Sequence, residues 1–293
     1  MKINLQGSIY LALCILLWSF IPVFAKFAGT SLDHHQYLFY SSIVSFASLL
    51  VVLIFSKSIK SVFSYKFSTY VFLFFLGFLD FFYYLLLYFG YQRSNGLEVL
   101  VVQYTWPIFI VLLSVILLKE SLGRNKILSL VFGFSATILV LLKGDIWSVN
   151  FTQMNVILFV ALGAFSFALF SVLSKKVKVS AINAVCIYFF GAVLYSFFSV
   201  FCFSEFKLPN LKEWGFILIN GVFLNGISYL FWIKALQGLE ASFAAMFIFV
   251  IPILSAFLLV LVFGEEILGV YLISLVLVIV SGVLASLKKK SKT

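Results

Sequence analysis

The chain has 293 residues, 64% of them hydrophobic and only 10% charged, with a mean hydropathy of +1.19. A soluble domain is about half apolar and about a quarter charged, so there is too little polar surface here to cover a water-soluble globule, and the solvent for most of the chain must be lipid. The net charge of +10 does not point to nucleic acid, because the 20 Lys and Arg sit in short gaps between apolar runs rather than on one basic face.

A membrane-spanning helix needs about 20 mainly apolar residues. Ten stretches qualify: 8–27, 36–55, 69–90, 97–118 and 126–142, then 155–174, 182–203, 214–235, 242–263 and 268–287. Lys2 precedes the first, and Val23-Phe24-Ala25 resembles a cleavage site, but the run is long for a signal peptide and nine more follow, so it reads as a retained span. The gaps are too short for a separate domain. Cys14, Cys186 and Cys202 lie within apolar runs and read as small core residues, not as a disulfide or metal set. His34-His35 falls in a short gap and reads as a solvated turn.

Orientation follows from the basic residues. With both termini cytoplasmic, the outer side keeps only Lys26, Arg93, Lys143, Lys207 and Lys212, and the other fifteen of the 20 lie inside. Lys288–Lys290 then reads as a stop-transfer anchor at the anionic inner leaflet.

The chain also repeats itself. Tyr91–Glu120 and Leu236–Glu265 each have a polar entry, a run of small and apolar residues, a proline near the middle and a glutamate at the end. A single shift of 145 positions, the distance from Pro107 to Pro252, also carries Gln92 onto Gln237, Glu120 onto Glu265, Asp80 onto Asn225 and Tyr84 onto Tyr229. Five spans per half is an odd number, so the halves must enter the membrane with opposite orientation, as in many secondary transporters. The fold expected is an all-α membrane protein of ten transmembrane helices in two inverted five-helix repeats, residues 1–145 and 146–293.

Polar groups at mid-membrane depth are costly unless they face a cavity or a partner. Asp80 shares one face of the third span with Tyr83, Tyr84, Leu87 and Tyr91; Asn225 shares one face of the eighth with Ser228, Tyr229 and Trp232. A pseudo-two-fold axis would bring Asp80 and Asn225 to the two walls of one cavity. Burial of a carboxyl disfavours its ionised form, which suits proton exchange; the alternative is a neutral Asp80 acting as interhelical glue. In the fourth span Glu98, near the outer end, and Gln103, Tyr104 and Trp106 precede Pro107. The missing donor at Pro107 would free the Gln103 carbonyl for a substrate ammonium or a water, unless the proline only bends the helix; Trp106 offers a flat face to a ring or a cation. Trp18, Ser19, Pro22 and Lys26 mark the first span, with Lys26 read as snorkelling outward; its counterpart near Phe165–Lys175 has Ser166, Phe167 and Ser171. Glu120, Glu265 and Glu266 at helix ends read as structural, pairing with Arg124 or Lys126 or capping a neighbouring helix. The candidate substrate-binding residues are thus Trp18, Asp80, Tyr83, Tyr84, Gln103, Trp106, Asn225, Tyr229 and Trp232, with Pro22, Pro107 and Pro252 as gating points. The chain has no Walker loop, HExxH or GxSxG motif, so neither an enzyme nor a cofactor or metal is expected. The expected partners are a small-molecule substrate, protons and the lipid bilayer, around a monomer or weak homodimer that binds no nucleic acid.

These residues resemble the drug/metabolite transporter superfamily, EamA type. The resemblance rests on Trp18–Lys26, on Ala235–Ala241, and on the proline-to-glutamate spacings Pro107–Glu120 and Pro252–Glu265. A narrower likeness, Gly90-Tyr91 followed by GLEVLVVQYTWP over Gly96–Pro107, is similar to the aromatic amino-acid exporter (YddG-like) branch. That branch implies a bacterial inner-membrane carrier with cytoplasmic termini that exports Phe, Tyr, Trp and other neutral amino acids. An asparagine common in that region of the branch is Gln103 here, and the second half has no comparable motif.

Overall fold

The computed structural model describes residues 4–27, 31–149, 151 and 153–287, without the side chains of 25–27. Lys2, the Lys26 side chain, Lys288–Lys290 and Lys292 lie outside the described residues. Among the described residues ten helices are long and apolar enough to cross a membrane: α1 (Leu5–Phe24), α2 (His34–Phe55), α3 (Phe67–Arg93), α4 (Gly96–Leu118), α5 (Arg124–Leu141), α6 (Met154–Ser174), α7 (Ala181–Phe203), α8 (Leu211–Gly238), α9 (Ala241–Phe263) and α10 (Gly269–Ser286). Helices are the economical answer to lipid, which offers no partner for an unpaired backbone group. Their starts are fixed locally: the side chains of Asn4, Asp33, Asn95, Ser180 and Asn210 accept backbone N–H groups at the first turns of α1, α2, α4, α7 and α8. The ends of α4 and α9 are turned by repeat-equivalent residues in the left-handed conformation, Lys119 (φ 58°) and Gly264 (φ 67°).

The packing is two-fold. α1 packs on α8 as α6 packs on α3, α2 on α8 as α7 on α3, and α1 on α9 as α6 on α4, while α2–α7, α4–α9 and α5–α10 pair across the axis. Glycines permit the closest crossings. A Cβ at Gly77 of α3 would stand 2.7 Å from the Tyr188 carbonyl oxygen of α7, and one at Gly221 of α8 would stand 2.6 Å from the Val44 side chain of α2.

Four spans are irregular. α1 breaks at Phe20, between Leu5–Ser19 and Ile21–Phe27; α4 breaks between Gly96–Gln103 and Trp106–Leu118; α9 breaks at Phe249, between Ala241–Ile248 and Val250–Phe263. Pro22, Pro107 and Pro252 each fall within the first three residues after a break, where the missing N–H costs no helical bond. The break in α1 is tied to α9, since Ser255 Oγ donates to the Ser19 carbonyl (2.9 Å). The fourth irregularity was not legible in the sequence: α8 widens into a π-helix over Asn220–Ile227.

Two sequence readings need correcting. His34 and His35 are not a solvated turn. The Asp33–Gln36 capping box draws both into the first turn of α2, where the rings are half-buried and His35 Nδ1 lies 2.6 Å from Ser199 Oγ of α7. Cys202 is not a core residue: Cys14 and Cys186 are buried, but Cys202 is exposed on α7.

Candidate substrate site

The two central spans meet through their side chains at mid-membrane depth. Tyr229 of α8 donates its hydroxyl to Asp80 Oδ1 of α3 (2.8 Å). Tyr84 of α3 donates to Asn225 Oδ1 of α8 (3.4 Å). The two hydroxyl oxygens are 3.1 Å apart. Asp80 and Asn225 are repeat partners, as are Tyr84 and Tyr229, so the pairs cross between the repeats and the two-fold axis runs between the tyrosine hydroxyls. Asn225 belongs to the π-helical segment of α8, a distortion that often accompanies function.

An aromatic cluster seals this tetrad on one side. Trp18 of α1 lies 6.1 Å from Trp106 of α4, 5.5 Å from Trp232 of α8 and 5.9 Å from Tyr229, between ring centroids. Phe167 of α6 sets its edge against Trp106 at 4.9 Å and also meets Tyr83 at 4.9 Å. Such edge-on and tilted pairs are each worth about 0.5–1.5 kcal/mol beyond simple contact. The indole donors are paired: Trp18 Nε1 reaches Ser228 Oγ (2.8 Å) and the Leu224 carbonyl (3.2 Å), and Trp232 Nε1 reaches Ser171 Oγ (3.1 Å). Trp106 stands where α4 breaks, so the break places its indole between the repeats.

A second polar group flanks the tetrad. Gln103 Nε2 donates to the Tyr83 hydroxyl (2.9 Å), and the Tyr91 hydroxyl donates to Gln103 Oε1 (3.1 Å). Exposure rises in this direction: Trp232 and Tyr229 are fully buried, Tyr84 and Gln103 are half-buried, and Tyr91 is exposed. The rings thus close the centre toward the face where α1 begins and α10 ends, while side-chain exposure rises toward the α3–α4 turn.

All nine candidate binding residues fall in this one region. Pro22, Pro107 and Pro252 stand at the breaks of three spans that border it. The contribution of Phe167, Ser171 and Ser228 as wall and indole acceptors was not assigned from sequence, although α6 had been matched to the first span.

The face where α1 begins is locked by polar contacts. Glu120 Oε1 accepts the Ala241 N–H (2.8 Å) and Glu120 Oε2 the Ser242 N–H (3.0 Å), so the end of α4 caps the start of α9. Lys126 bonds Glu240 (2.7 Å) and Ser242 Oγ (2.8 Å). Lys175 donates to the carbonyls of Leu236 and Leu239; burial lowers its pKa from the ordinary lysine value, against the attraction of Glu120 and Glu240.

A family model described as the EamA-like transporter family matches residues 5–142 and then 154–287. The chain belongs to the EamA-like transporter family. Among curated proteins, it is 25% identical over 218 residues to an uncharacterised transporter, YyaM, of Bacillus subtilis (strain 168), covering 71% of this chain and 70% of that one. It is 26% identical over 178 residues to another from the same organism, YoaV, covering 58% of this chain and 59% of that one. An uncharacterised transporter of Acidianus ambivalens is 24% identical over 161 residues, 54% of this chain and 61% of that one. The chain thus spans less than two thirds of the length of YoaV and of the Acidianus protein. A crystal structure overlays with a TM-score of 0.85 at 19% identity, covering 97% of this chain and 98% of that one, a likeness of fold. The two matched segments cover α1–α5 and α6–α10 respectively.

Proposed function

We propose that this protein is a bacterial inner-membrane exporter of small metabolites, aromatic or other neutral amino acids, working by alternating access with both termini cytoplasmic. The observation that carries the reading is the crossed tetrad of Asp80, Tyr229, Tyr84 and Asn225, placed beside the rings of Trp18, Trp106 and Trp232. A tetrad shared between inverted repeats joins two bodies that must rock against each other. Its hydrogen bonds are ones a solute can replace. In this scheme residues 1–145 and 146–293 are the two moving repeats. The indoles and Tyr83 enclose an apolar side chain, and Gln103, Asn225 and Asp80 meet the polar end. Asp80 exchanges a proton, and Pro22, Pro107 and Pro252 mark the bending points of the gating helices. The basic-residue bias supports the orientation. The test is efflux of labelled Phe and Leu from proteoliposomes by the wild type and by Asp80→Asn. Loss of flux in the variant is expected, and unchanged flux removes Asp80 from the mechanism.

One observation favours a second reading. Asp80 is the one carboxyl in the assembled centre, and no Lys or Arg joins it among the described residues, so the site offers an acid to a cation and no cationic partner to a carboxylate. Efflux of a cationic solute would follow. Competition between amino acids and an organic cation for one binding site separates the two: displacement by the cation alone overturns the amino-acid reading.

A further inference from the structure

The glutamate that locks one face has a repeat partner at the other. Glu120 follows the left-handed residue Lys119 and caps α9 through the amides of Ala241 and Ser242 at 2.8 and 3.0 Å, while Ser242 adds its hydroxyl. Lys126 ties the same corner to Glu240 at 2.7 Å. These bonds join the α4–α5 turn of the first repeat to the α8–α9 turn of the second, and a carboxylate at a helix N-terminus is favoured by both the free amides and the dipole.

The shift of 145 positions that relates Pro107 to Pro252 carries Glu120 onto Glu265 and Lys119 onto Gly264, and relates Ala241 and Ser242 to Gly96 and Leu97. Gly264 reproduces the left-handed turn, at φ 67° against 58° for Lys119, so the backbone that aims Glu120 exists again at the opposite face. The contacts differ. There the Leu97 amide donates to Asn95 Oδ1 (2.9 Å), and Glu265 stands 3.9 Å from Lys143.

We propose that Glu120 and Glu265 are reciprocal latches. When the face that Glu120 now closes opens, Glu120 releases Ala241 and Ser242, and Glu265 takes the amides of Gly96 and Leu97, competing with Asn95, to close the opposite face. This rests on the alternating-access reading above. The two latches are unequal by composition. The positions equivalent to Lys126, Glu240 and Ser242 are Tyr271, Asn95 and Leu97, so the Glu265 latch has neither the ion pair nor the serine hydroxyl. That inequality accounts for a resting state closed on the Glu120 side. Glu120 and Glu265 are positioning residues: they set which face is open and touch no substrate.

The test uses the full-length protein in vesicles with Cys14, Cys186 and Cys202 replaced by Ala. Met246, 1% exposed and four residues along α9 from Ser242, is changed to Cys as a reporter of opening on the Glu120 side. Glu120→Gln should raise its thiol-labelling rate at least fivefold, and Glu265→Gln should lower it. A Leu97→Cys, Glu265→Cys pair should cross-link under mild oxidation, faster when Glu120→Gln is also present, and the link should hold the Met246→Cys reporter in its fast-labelling state. Equal effects of the two glutamine variants, or no cross-link in the Glu120→Gln background, overturn the latch. A link that forms but leaves reporter labelling unchanged overturns alternating access itself. Met246→Cys labelling of each variant in this cysteine-replaced chain, slower under native conditions than in denaturant, establishes that each is read in a folded protein.

Discussion

Replacing Tyr229 with Phe removes one hydroxyl that donates to Asp80 at 2.8 Å and whose oxygen lies 3.1 Å from that of Tyr84. Asp80 is held on α3 at 4% exposure and Tyr229 is fully buried, so the acceptor left behind cannot turn to water. An unpaired buried acceptor costs about 1–3 kcal/mol in soluble proteins. Inside a bilayer, coupling energies average about 0.6 kcal/mol with a maximum near about 1.7. The short distance and complete burial place this pair in the upper part of that range, at about 1 kcal/mol, or a factor of about 5 in the folding equilibrium. The assay is a double-mutant cycle of Tyr229→Phe with Asp80→Ala, read by titrating SDS into the detergent-solubilised protein. A second cycle, Tyr84→Phe with Asn225→Ala, probes the 3.4 Å pair and should couple by less than about 0.5 kcal/mol. If the first pair is additive within about 0.3 kcal/mol, the crossed tetrad does not hold the repeats together and the argument built on it fails. The same conclusion follows if the longer pair couples more strongly than the shorter.

Gly77→Val should prevent folding or cost more than about 2 kcal/mol, because the new carbons would press on the Tyr188 carbonyl of α7; Gly215→Val, with nothing within 4 Å of its Cβ position, is the exposed control, limited to a helix-propensity change. Ser171→Ala leaves the Trp232 donor without its hydroxyl and should lower stability by about 1 kcal/mol, whereas Ser228→Ala leaves Trp18 its bond to the Leu224 carbonyl and should cost less; chemical denaturation of the two variants ranks them. Breaking the Lys126–Glu240 pair, whose side chains are 15% and 33% exposed, should cost only about 0.5–1 kcal/mol, and raising the salt should shrink the difference from wild type. Burial holds the Lys175 pKa below 10.5, so the folded protein releases this proton before the unfolded chain does. Stability from this group should therefore rise with pH between the depressed value and 10.5, and the pH slope of a Lys175→Gln variant should be flatter there; an identical slope refutes it.

Much of the architecture is written locally in this chain. Lipid leaves an apolar segment no alternative to the helix, so run length alone located the ten spans. Capping residues such as Asn95 and Asn210 act on amides a few positions away, and they fixed the helix starts. The register between Asp80 and Asn225 was also visible, because a duplicated unit repeats its polar exceptions along with its apolar runs. The helical face shared by Asp80, Tyr83 and Tyr84 is set by the 3.6-residue period, and that face does point to the partner repeat.

What the sequence could not settle depends on distances across the bundle. The glycines at 221 and 226 were readable, but that they lie in a π-helical turn of α8, pressed against Val44 and Ser48 of α2, was not. The solvated-turn reading of His34-His35 failed because Ser199, 164 positions from His35, supplies the partner. Whether Glu120 pairs with a nearby lysine or caps another helix was likewise open until α9 was seen to begin beside it. Periodicity reports which side chains share a face of one helix; only the folding of the two repeats against each other decides which faces meet, and so it was the tertiary structure that joined Tyr229 to Asp80 and gathered three distant tryptophans into one wall.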